Sequence, residues 1–297
     1  MDRIVVTGGS GFIGVHTIEA LLAKNYEVLA VDWNVERLKE KFSSAAGLEI
    51  VKEDIRSPSF RNHVSKGDKV LHLAAIARFG DCERDPLEAL EVNVVGTLNV
   101  LMACRDAKAE RIVFSSTGSV YSRDAPVPLR EDGPRGQVNI YGSTKKMAED
   151  WIFYFAKQYR LPFVILRYGY VYGRGKWHGA IGSFINMLRE GNAPTIYGGE
   201  QINDFTYVKD IVQANLLALE TDKTFQAFNI GSGRARSIRD SYDLCRKYLN
   251  INTEPKILPP RDVDYPIFVY DITKARVLLG YEPRWSLEDG IKDMLEG

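Results

Sequence analysis

The hydrophobic positions of the first 170 residues form short apolar runs that alternate with longer amphipathic stretches. Strands that are apolar on both faces and separated by helices are typical of a parallel sheet covered by helices on both sides. The pattern therefore predicts an α/β fold with a doubly wound parallel sheet. The runs interpreted as strands are Ile4–Thr7, Val28–Asp32, Leu48–Lys52, Val70–Leu73, Arg111–Ser115 and Phe163–Arg167.

The composition of the chain changes after about residue 170, where glycine, proline and aromatic residues become frequent. We interpret this later part as a smaller, looser substrate-binding region built on the C-terminal edge of the sheet. A predicted helix, Val208–Leu219, and a predicted strand, Ala227–Ile230, return to the first domain. The predicted domains interleave and cover residues 1–170, with returns near 205–232, and mainly residues 171–297.

A glycine-rich turn follows the first predicted strand. Gly8, Gly11 and Gly14 precede an amphipathic stretch, and a second apolar run then ends in Asp32. This order of elements, a strand, a glycine-rich turn, a helix and a second strand that ends in an acidic residue, is typical of a Rossmann-type dinucleotide site. The glycines permit a tight turn and close approach of the backbone to a pyrophosphate, and the helix N-terminus offers N–H donors. A simple tight turn is the alternative, but the context on both sides favours a cofactor site.

Asp32 lies 18 residues after Gly14, at the end of the second predicted strand. On its own, an aspartate at such a place is more often a helix cap or turn residue. After a glycine-rich turn, its carboxylate is placed to accept both adenosine ribose hydroxyls and to repel a 2′-phosphate. The sequence therefore predicts NAD rather than NADP as the cofactor.

A tyrosine and a lysine stand four residues apart at the start of a predicted helix that runs to about Tyr159. Tyr141 and Lys145 share one helical face, where the ammonium and the helix N-terminus favour the phenolate. A free tyrosine titrates near ~10, so a base near pH 7 needs its pKa lowered by about three, on the order of 4 kcal/mol. Lys145 and a positive nicotinamide ring are expected to supply this.

Hydroxyl groups cluster where the fifth predicted strand ends, at Ser115, Ser116 and Thr117. The carboxyl ends of strands in open α/β sheets are where ligands bind. Thr117 is best placed to donate to a substrate oxygen and to relay its proton to Tyr141. For Ser115, turn or helix capping is the simpler interpretation.

Composition narrows the classes of function. The chain has 297 residues, and 39 lysines and arginines balance 39 aspartates and glutamates, so no basic excess indicates nucleic acid or an anionic membrane. No apolar run approaches the ~20 residues of a membrane span, and a strand rather than a signal peptide comes first. The three cysteines and four histidines show no metal-ligand or disulfide spacing. We expect a cytoplasmic protein without a metal ion.

Seven segments, taken in order, resemble the extended short-chain dehydrogenase/reductase family, in its nucleotide-sugar epimerase and dehydratase branch. The resemblance covers essentially the whole chain. It is highly specific for the family and less specific for the substrate. The segments are Thr7–Gly14, Asp54–Arg56, His72–Ala75, Asn93–Thr97, Ser115–Thr117, Tyr141–Lys145 and Asp204–Asp210.

The resemblance implies roles for the matching residues. Tyr141 would be the general base, Lys145 its electrostatic partner and a ligand of the NAD ribose, and Thr117 the partner of the substrate hydroxyl. Asn93 would support the active-site helix through hydrogen bonds. Asp54 and Ile55 would border the adenine, and Ala74 and Ala75 the middle of the cofactor. The full set of implied cofactor-binding residues is Gly8, Gly11, Phe12, Ile13, Gly14, Asp32, Asp54, Ile55, Leu73, Ala74, Ala75, Asn93, Ser115, Tyr141, Lys145 and Tyr168. The implied substrate-binding residues are Thr117, Tyr170, Asn203, Arg261, Asp264 and Phe268.

Two positions depart from the pattern of family members that bind a nucleoside diphosphate. Asn203 stands where an arginine is common, and Tyr170 stands where an asparagine is common. Both changes remove polar groups expected near the phosphates of the substrate. The segment from Arg261 to Asp264, in contrast, resembles one whose arginine binds the diphosphate and whose acid holds the ribose. The diphosphate site is thus only partly matched.

The leading hypothesis is an NAD-dependent enzyme similar to UDP-glucose 4-epimerases, which inverts C4 of a UDP-hexose through a transient 4-keto sugar. A 4,6-dehydratase ranks low, because that branch has an Asp-Glu pair where this chain has Gly118 and Ser119. An NAD-dependent dehydrogenase of a free sugar or hydroxy acid stays open because of Asn203 and Tyr170. A non-catalytic dinucleotide-binding module is disfavoured, since such proteins usually lose the Tyr/Lys pair.

Two further expectations concern substrate choice and assembly. Phe268 falls where the family lines the C2 side of the hexose, and a bulky aromatic there favours UDP-glucose and UDP-galactose over N-acetylated sugars; inward packing of a strand residue is the alternative. Apolar surface on the helices around 88–105 and 141–159 predicts a homodimer, with a purely internal core as the alternative. The residues concerned are Trp151, Ile152, Phe153, Tyr154 and Phe155.

Overall fold

A computed structural model describes residues 3–136, 138–176, 178–261 and 264–296. The strands are β1 (Arg3–Thr7), β2 (Glu27–Asp32), β3 (Leu48–Lys52), β4 (Lys69–His72), β5 (Arg111–Thr117), β6 (Phe163–Tyr168), β7 (Tyr170–Tyr172), β8 (Thr195–Tyr197), β9 (Ile202–Tyr207), β10 (Gln226–Ile230), β11 (Ala235–Ser237), β12 (Lys256–Leu258) and β13 (Ile267–Phe268). The helices are α1 (Phe12–Ala23), α2 (Glu36–Lys41), α3 (Phe79–Arg84), α4 (Pro86–Leu90), α5 (Thr97–Ala107), α6 (Ile140–Tyr159), α7 (Ala180–Arg189), α8 (Val208–Glu220), α9 (Ile238–Leu249), α10 (Thr273–Leu279) and α11 (Leu287–Leu295). A π-helical turn, Glu91–Gly96, joins α4 to α5.

A seven-stranded sheet organises the first part of the chain, in the order β10-β6-β5-β4-β1-β2-β3. Strand β1 pairs in parallel with β2 on one side and β4 on the other, so that Ile4 lies beside Val28 and Lys69. The strand order reverses at this point, and the crevice at the carboxyl ends of such strands is where α/β sheets bind ligands. The predicted α/β, Rossmann-type fold is confirmed.

The main core lies between this sheet and the helices α5 and α6. The strands contribute fully buried residues such as Val5, Val70 and Ile112, because each strand is apolar on the face turned to the helices. Leu101 of α5 and Ile152 of α6 pack into the same cluster at 0 % and 1 % exposure. This core holds α6 against the sheet.

One helical stretch is more apolar than expected, because the sequence predicted no run that approaches the length of a membrane span. The continuous helix over Pro86–Ala107 is long and apolar enough to cross a membrane by length and composition alone, although polar residues interrupt it. Of its most apolar window, 56 % is buried inside the protein. Since Leu101 and Cys104 belong to the main core, the hydrophobicity of this stretch is explained by packing on the sheet.

The chain divides into two compact units, each assembled from three separate segments. Unit 1 comprises 1–122, 134–167 and 212–228, and contains most of the seven-stranded sheet. Unit 2 comprises 123–133, 168–211 and 229–297. Within unit 2, β9 pairs with β11 and β13 and, farther along, with β7, while β8 pairs with β12.

Candidate functional site

The turn between β1 and α1 requires glycine at two positions. Gly8 has a φ of +71°, and a Cβ there would lie 2.6 Å from the backbone nitrogen of Ala74 at the end of β4. A Cβ at Gly14 would lie 2.3 Å from the carbonyl oxygen of Gly8. Both glycines therefore let the helix and the neighbouring strand approach the turn closely, as a dinucleotide-binding turn needs.

Gly11 leaves the start of α1 open. It is exposed, has no capping side chain, and a Cβ there would meet only the Gly8 carbonyl oxygen within 4 Å. Phe12 and Ile13, in the first turn of α1, are half-buried. The N–H groups in the first turn and the dipole of this 12-residue helix suit the pyrophosphate of a dinucleotide, so the turn fits the cofactor that the sequence predicts.

Asp32 lies at the carboxyl end of β2, beside the same turn. Its carboxylate accepts hydrogen bonds from the backbone N–H groups of Ser10 at 2.9 Å and Asn34 at 3.1 Å. Burial raises the pKa of Asp32 above its ordinary value, and these hydrogen bonds act in the opposite direction. The carboxylate is thus held in one orientation at the position expected to recognise an adenosine ribose.

The residues expected at the adenine and at the middle of the cofactor follow β3 and β4, which lie on either side of β1 and β2 in the sheet. Asp54 follows β3 and is bound by Arg56, whose Nη2 lies 2.7 Å from the carboxylate and lowers the pKa of Asp54. Ile55 is buried against Gly96. After β4, Leu73, Ala74 and Ala75 are half-buried, and the first two donate backbone N–H groups to Thr7.

Asn93, in the π-helical turn, connects the segment after β4 to helix α6. Its side chain accepts a hydrogen bond from the backbone N–H of Ile76 at 2.8 Å and donates to the Ile76 carbonyl at 3.0 Å. It also donates to the hydroxyl of Thr144 at 3.0 Å. One buried amide therefore holds α6 in register with the strand end that the cofactor residues occupy.

Helix α6 starts where it does because Asn139 caps it, accepting a hydrogen bond from the N–H of Gly142 at 2.7 Å. A Cβ at Gly142 would lie 2.2 Å from the Ser119 carbonyl oxygen, so glycine lets the first turn of α6 contact the turn after β5. This contact brings Tyr141 close enough to Thr117 for the threonine hydroxyl to lower the pKa of the phenol. The Thr117 hydroxyl also accepts from the N–H of Ser119 at 3.2 Å.

Lys145 follows one turn later on the same face of α6 and is 1 % exposed. Its ammonium lies 4.0 Å from the centre of the Phe114 ring. Burial lowers the pKa of Lys145 to about 7, and the nearby Glu149 carboxylate limits this fall.

The pKa of Tyr141 moves against the expectation from the sequence. Loss of solvation raises it well above its ordinary value, the nearby Cys82 adds to the rise, and the Thr117 hydroxyl acts in the opposite direction. Burial of the phenol is therefore the dominant influence on the pKa of Tyr141.

Sequence reasoning missed a buried ion pair behind this face of α6. Glu149 is fully buried and accepts hydrogen bonds from Nε and Nη2 of Arg167 at 2.9 and 2.8 Å, from Ser116 Oγ at 2.6 Å and from Arg135 Nη1 at 3.1 Å. Arg167 itself is 2 % exposed and also donates to the Tyr121 hydroxyl. The feature of the sequence that could have revealed this ion pair is the position of Arg167 in the otherwise apolar strand β6. Ser115, next to Ser116, donates to the His72 carbonyl at 3.0 Å.

The residues predicted to bind substrate, other than Thr117, belong to unit 2. Tyr170 packs edge-on against Phe268, with ring centres 5.0 Å apart, and Phe268 pairs with Asn203 across β13 and β9. Arg261 holds Asp264 through two hydrogen bonds of 3.0 and 2.8 Å; residues 262 and 263 between them lie outside the described residues. The carbonyl of Tyr168, a predicted cofactor residue, accepts a hydrogen bond from Tyr270. The structure thus groups Tyr170, Asn203 and Phe268 within unit 2 and pairs Arg261 with Asp264 in the same unit.

Comparison with known proteins extends this picture. The UDP-glucose 4-epimerase of Halalkalibacterium halodurans is 30 % identical over 310 residues, covering 96 % of this chain and 92 % of the relative. The UDP-N-acetyl-alpha-D-glucosaminuronate decarboxylase of Bacillus cytotoxicus is 31 % identical, covering 99 % and 97 %. The crystal structure of UDP-glucose 4-epimerase from Thermotoga maritima with UDP-glucose matches with a TM-score of 0.92 at 32 % identity, covering 99 % of this chain and 97 % of that one.

The model of the NAD dependent epimerase/dehydratase family matches residues 4–231, which include the glycine-rich turn, Asp32, Thr117, Tyr141 and Lys145. This span covers both the turn that suits a dinucleotide and the tyrosine–lysine pair on α6. The fold, the site and the comparisons agree, and the chain belongs to the NAD dependent epimerase/dehydratase family, with NAD as its cofactor.

Proposed function

We propose that this protein inverts C4 of a UDP-hexose, interconverting UDP-glucose and UDP-galactose. The observation that carries the proposal is that Tyr141, whose pKa the Thr117 hydroxyl lowers, stands on α6 one helical turn from the buried Lys145. The names of two relatives, both UDP-glucose 4-epimerases, support the choice of sugar nucleotide. The decarboxylase among the relatives shows that the family also includes other chemistry.

The side chains suit proton transfer at a sugar hydroxyl. In the proposed reaction Thr117 donates to the 4-hydroxyl oxygen and Tyr141 takes its proton, which the interaction between the two side chains supports. NAD, when bound along the glycine turn and Asp32, supplies the hydride acceptor that C4 oxidation requires. Lys145 stabilises the phenolate, and its low polarity surroundings strengthen that interaction.

The dehydratase alternative lacks the residues that it needs. After Thr117 the chain continues with Gly118 and Ser119 in a short 3₁₀ turn, and neither side chain is an acid. A net dehydrogenase and an epimerase differ in whether the reduced cofactor is released or re-oxidised by the sugar. An epimerase returns the hydride to the sugar, so no NADH accumulates.

The proposal is tested by incubating the purified protein with UDP-glucose, UDP-galactose, their N-acetylated counterparts and UDP-glucuronic acid. Products are separated by chromatography while absorbance at the NADH band is followed. We expect UDP-glucose and UDP-galactose to interconvert without a net rise in NADH. A stoichiometric rise in NADH would support the dehydrogenase instead, and no conversion of any sugar nucleotide would refute the proposed reaction.

The Asp32→Ala variant is expected to bind NAD about tenfold or more weakly, because a charged acceptor for the ribose hydroxyls is lost. Its affinity for NADP should not fall, because the carboxylate that repels the 2′-phosphate is removed, so the preference for NAD narrows. Titration calorimetry with both dinucleotides measures the change. Glu40→Ala, which removes an exposed carboxylate of α2, serves as the control. Tighter binding of NADP than NAD by the wild-type protein would contradict the role of Asp32.

We further propose a homodimer formed through α6. Ile152 and Phe155 are buried at 1 % and 3 % exposure, whereas Trp151 and Tyr154 are 39 % and 47 % exposed. Met147 is also exposed, so residues at spacings of four and three form one apolar stripe on the helix. Light scattering at micromolar concentration should give twice the mass of 33.5 kDa, and Trp151→Glu should give a monomer. A wild-type monomer would refute this assembly.

Phe268 is proposed to exclude an N-acetyl group at C2 of the sugar. A side chain that rejects a bulky group must be rigid, and Phe268 packs against the rings of Tyr170, Tyr265 and Tyr270 at 5.0, 5.5 and 5.1 Å. We expect wild-type kcat/KM for UDP-galactose to exceed that for UDP-N-acetylgalactosamine by about tenfold or more, and Phe268→Ser to remove most of this preference. Equal use of both sugars by the wild-type protein would contradict the assignment.

A further inference from the structure

The strand register in unit 2 places an arginine directly beside the position where the family pattern loses one. Strand β11 runs antiparallel to β9, and Arg236 is the residue opposite Asn203. Residues directly opposite in an antiparallel pair point to the same face of the sheet, with Cβ atoms about 4.5–5.5 Å apart. Arg236 therefore projects from the face that Asn203 occupies.

The same face carries the aromatic residues predicted to contact the substrate. Phe268 pairs with Asn203 on the other side of β9, and Tyr170 pairs with Phe205 two residues farther along. The rings of Tyr170 and Phe205 lie 6.1 Å apart. The row Arg236–Asn203–Phe268 thus crosses three strands, with a guanidinium at one end and the aromatic cluster at the other.

Arg236 lines a cavity of about 100 Å³ within unit 2. Phe205, Arg234, Trp285 and Glu288 also line it, so that two guanidinium groups and one carboxylate face the same space. A concave site with two arginines is suited to a phosphate group, which arginine binds through paired N–H donors.

The two candidate arginines differ in how firmly they are held. Arg261 binds Asp264 through two hydrogen bonds of 3.0 and 2.8 Å. Among the described residues, Arg236 pairs with Glu288 at 3.4 Å, and the side chains are 46 % and 30 % exposed. Ion pairs that are this open to solvent are weak. Arg236 is therefore free to exchange its carboxylate for a more highly charged anion.

We propose that Arg236, from β11, supplies the cationic contact to the substrate diphosphate that Asn203 does not provide on β9. Glu288 is then a competing anion, which holds Arg236 in place until the substrate displaces it. This inference rests on the proposed function, because it requires a nucleoside diphosphate as part of the substrate. On this proposal the diphosphate site keeps its positive charge, which comes from Arg236 on β11 instead of from a residue on β9.

Titration calorimetry with UDP and with uridine tests the proposal on the holoenzyme, because the two probes differ only in the diphosphate. Arg236→Gln should weaken UDP binding about tenfold to a hundredfold, as expected for a lost charged hydrogen bond. Uridine affinity should stay within about twofold. Arg236→Lys should recover part of the loss, and Glu288→Gln should tighten UDP binding, since it removes the competing carboxylate.

Arg276→Gln, which removes an exposed arginine from α10, is the charge-matched control and should bind UDP like the wild type. Thermal unfolding of each variant confirms that it is folded. UDP binding by Arg236→Gln within twofold of wild type, or equal losses for UDP and uridine, would overturn the proposal for Arg236 alone. If wild-type protein binds no UDP, the proposed function fails together with it.

Discussion

Tyr141→Phe is expected to lower epimerisation about a thousandfold while NAD stays bound, because positioned acid–base groups contribute on the order of 10²–10⁴ to rates. The substitution removes only the hydroxyl that contacts Thr117 and keeps the ring in place. Lys145, Asn93 and the glycine turn are left intact. Turnover should therefore fall without loss of the cofactor.

Conversion of UDP-galactose to UDP-glucose measures the rate, and the absorbance of NAD released on denaturation measures cofactor content. Tyr159→Phe is the matched control, because this tyrosine lies at the end of the same helix and is 46 % exposed. The control should keep the wild-type rate. If Tyr141→Phe retains more than about a tenth of that rate, Tyr141 is not the base.

The largest expected effect on stability comes from Glu149→Gln, which should lower the free energy of unfolding by about 3–5 kcal/mol. The amide keeps the volume of the side chain but leaves the guanidinium of Arg167, 2 % exposed, without its carboxylate. An uncompensated charge in a buried site is more harmful than the absence of the whole pair. Urea unfolding followed by circular dichroism measures the change.

Two variants show whether burial explains this loss. Asp150→Asn removes the neighbouring carboxylate, which pairs with Arg135 and Lys146 at 46 % side-chain exposure, and should change stability by less than about 1 kcal/mol. Adding Arg167→Met to Glu149→Gln should restore part of the loss, since both buried charges are then absent. A change below about 1 kcal/mol in Glu149→Gln would show that the pair does not stabilise the fold.

The strands of the large sheet could be predicted from the sequence because each is a buried run with its own local pattern. The run predicted at 111–115 extends in the structure to Thr117, and the one at 28–32 begins one residue earlier, at Glu27. Such differences at element ends are expected, since hydrogen bonds to neighbouring strands decide where a strand stops. The fold class followed from these runs alone.

The chemistry of the site was less accessible. Local motifs with a known physical explanation identify Tyr141, Lys145 and the glycines, so these residues could be predicted from the sequence. Arg167 is 18 residues from its partner Glu149, and Arg236 is 33 residues from Asn203. Their pairing depends on tertiary packing and strand register, which no local pattern encodes. The rise in the pKa of Tyr141 depends on burial by distant segments and could not be predicted either.

The interleaving of the two units has a consequence for how the protein is made. The chain passes from one unit to the other after residues 122, 133, 167, 211 and 228, and the edge strand β10 of the large sheet ends only at Ile230. A ribosome releases the chain in order from the N-terminus, so this sheet cannot be completed until more than three-quarters of the protein has been synthesised. During that time the open edge of β6 is available for pairing with other chains. Slow synthesis or truncation before residue 226 should therefore promote aggregation more than truncation within the last two helices.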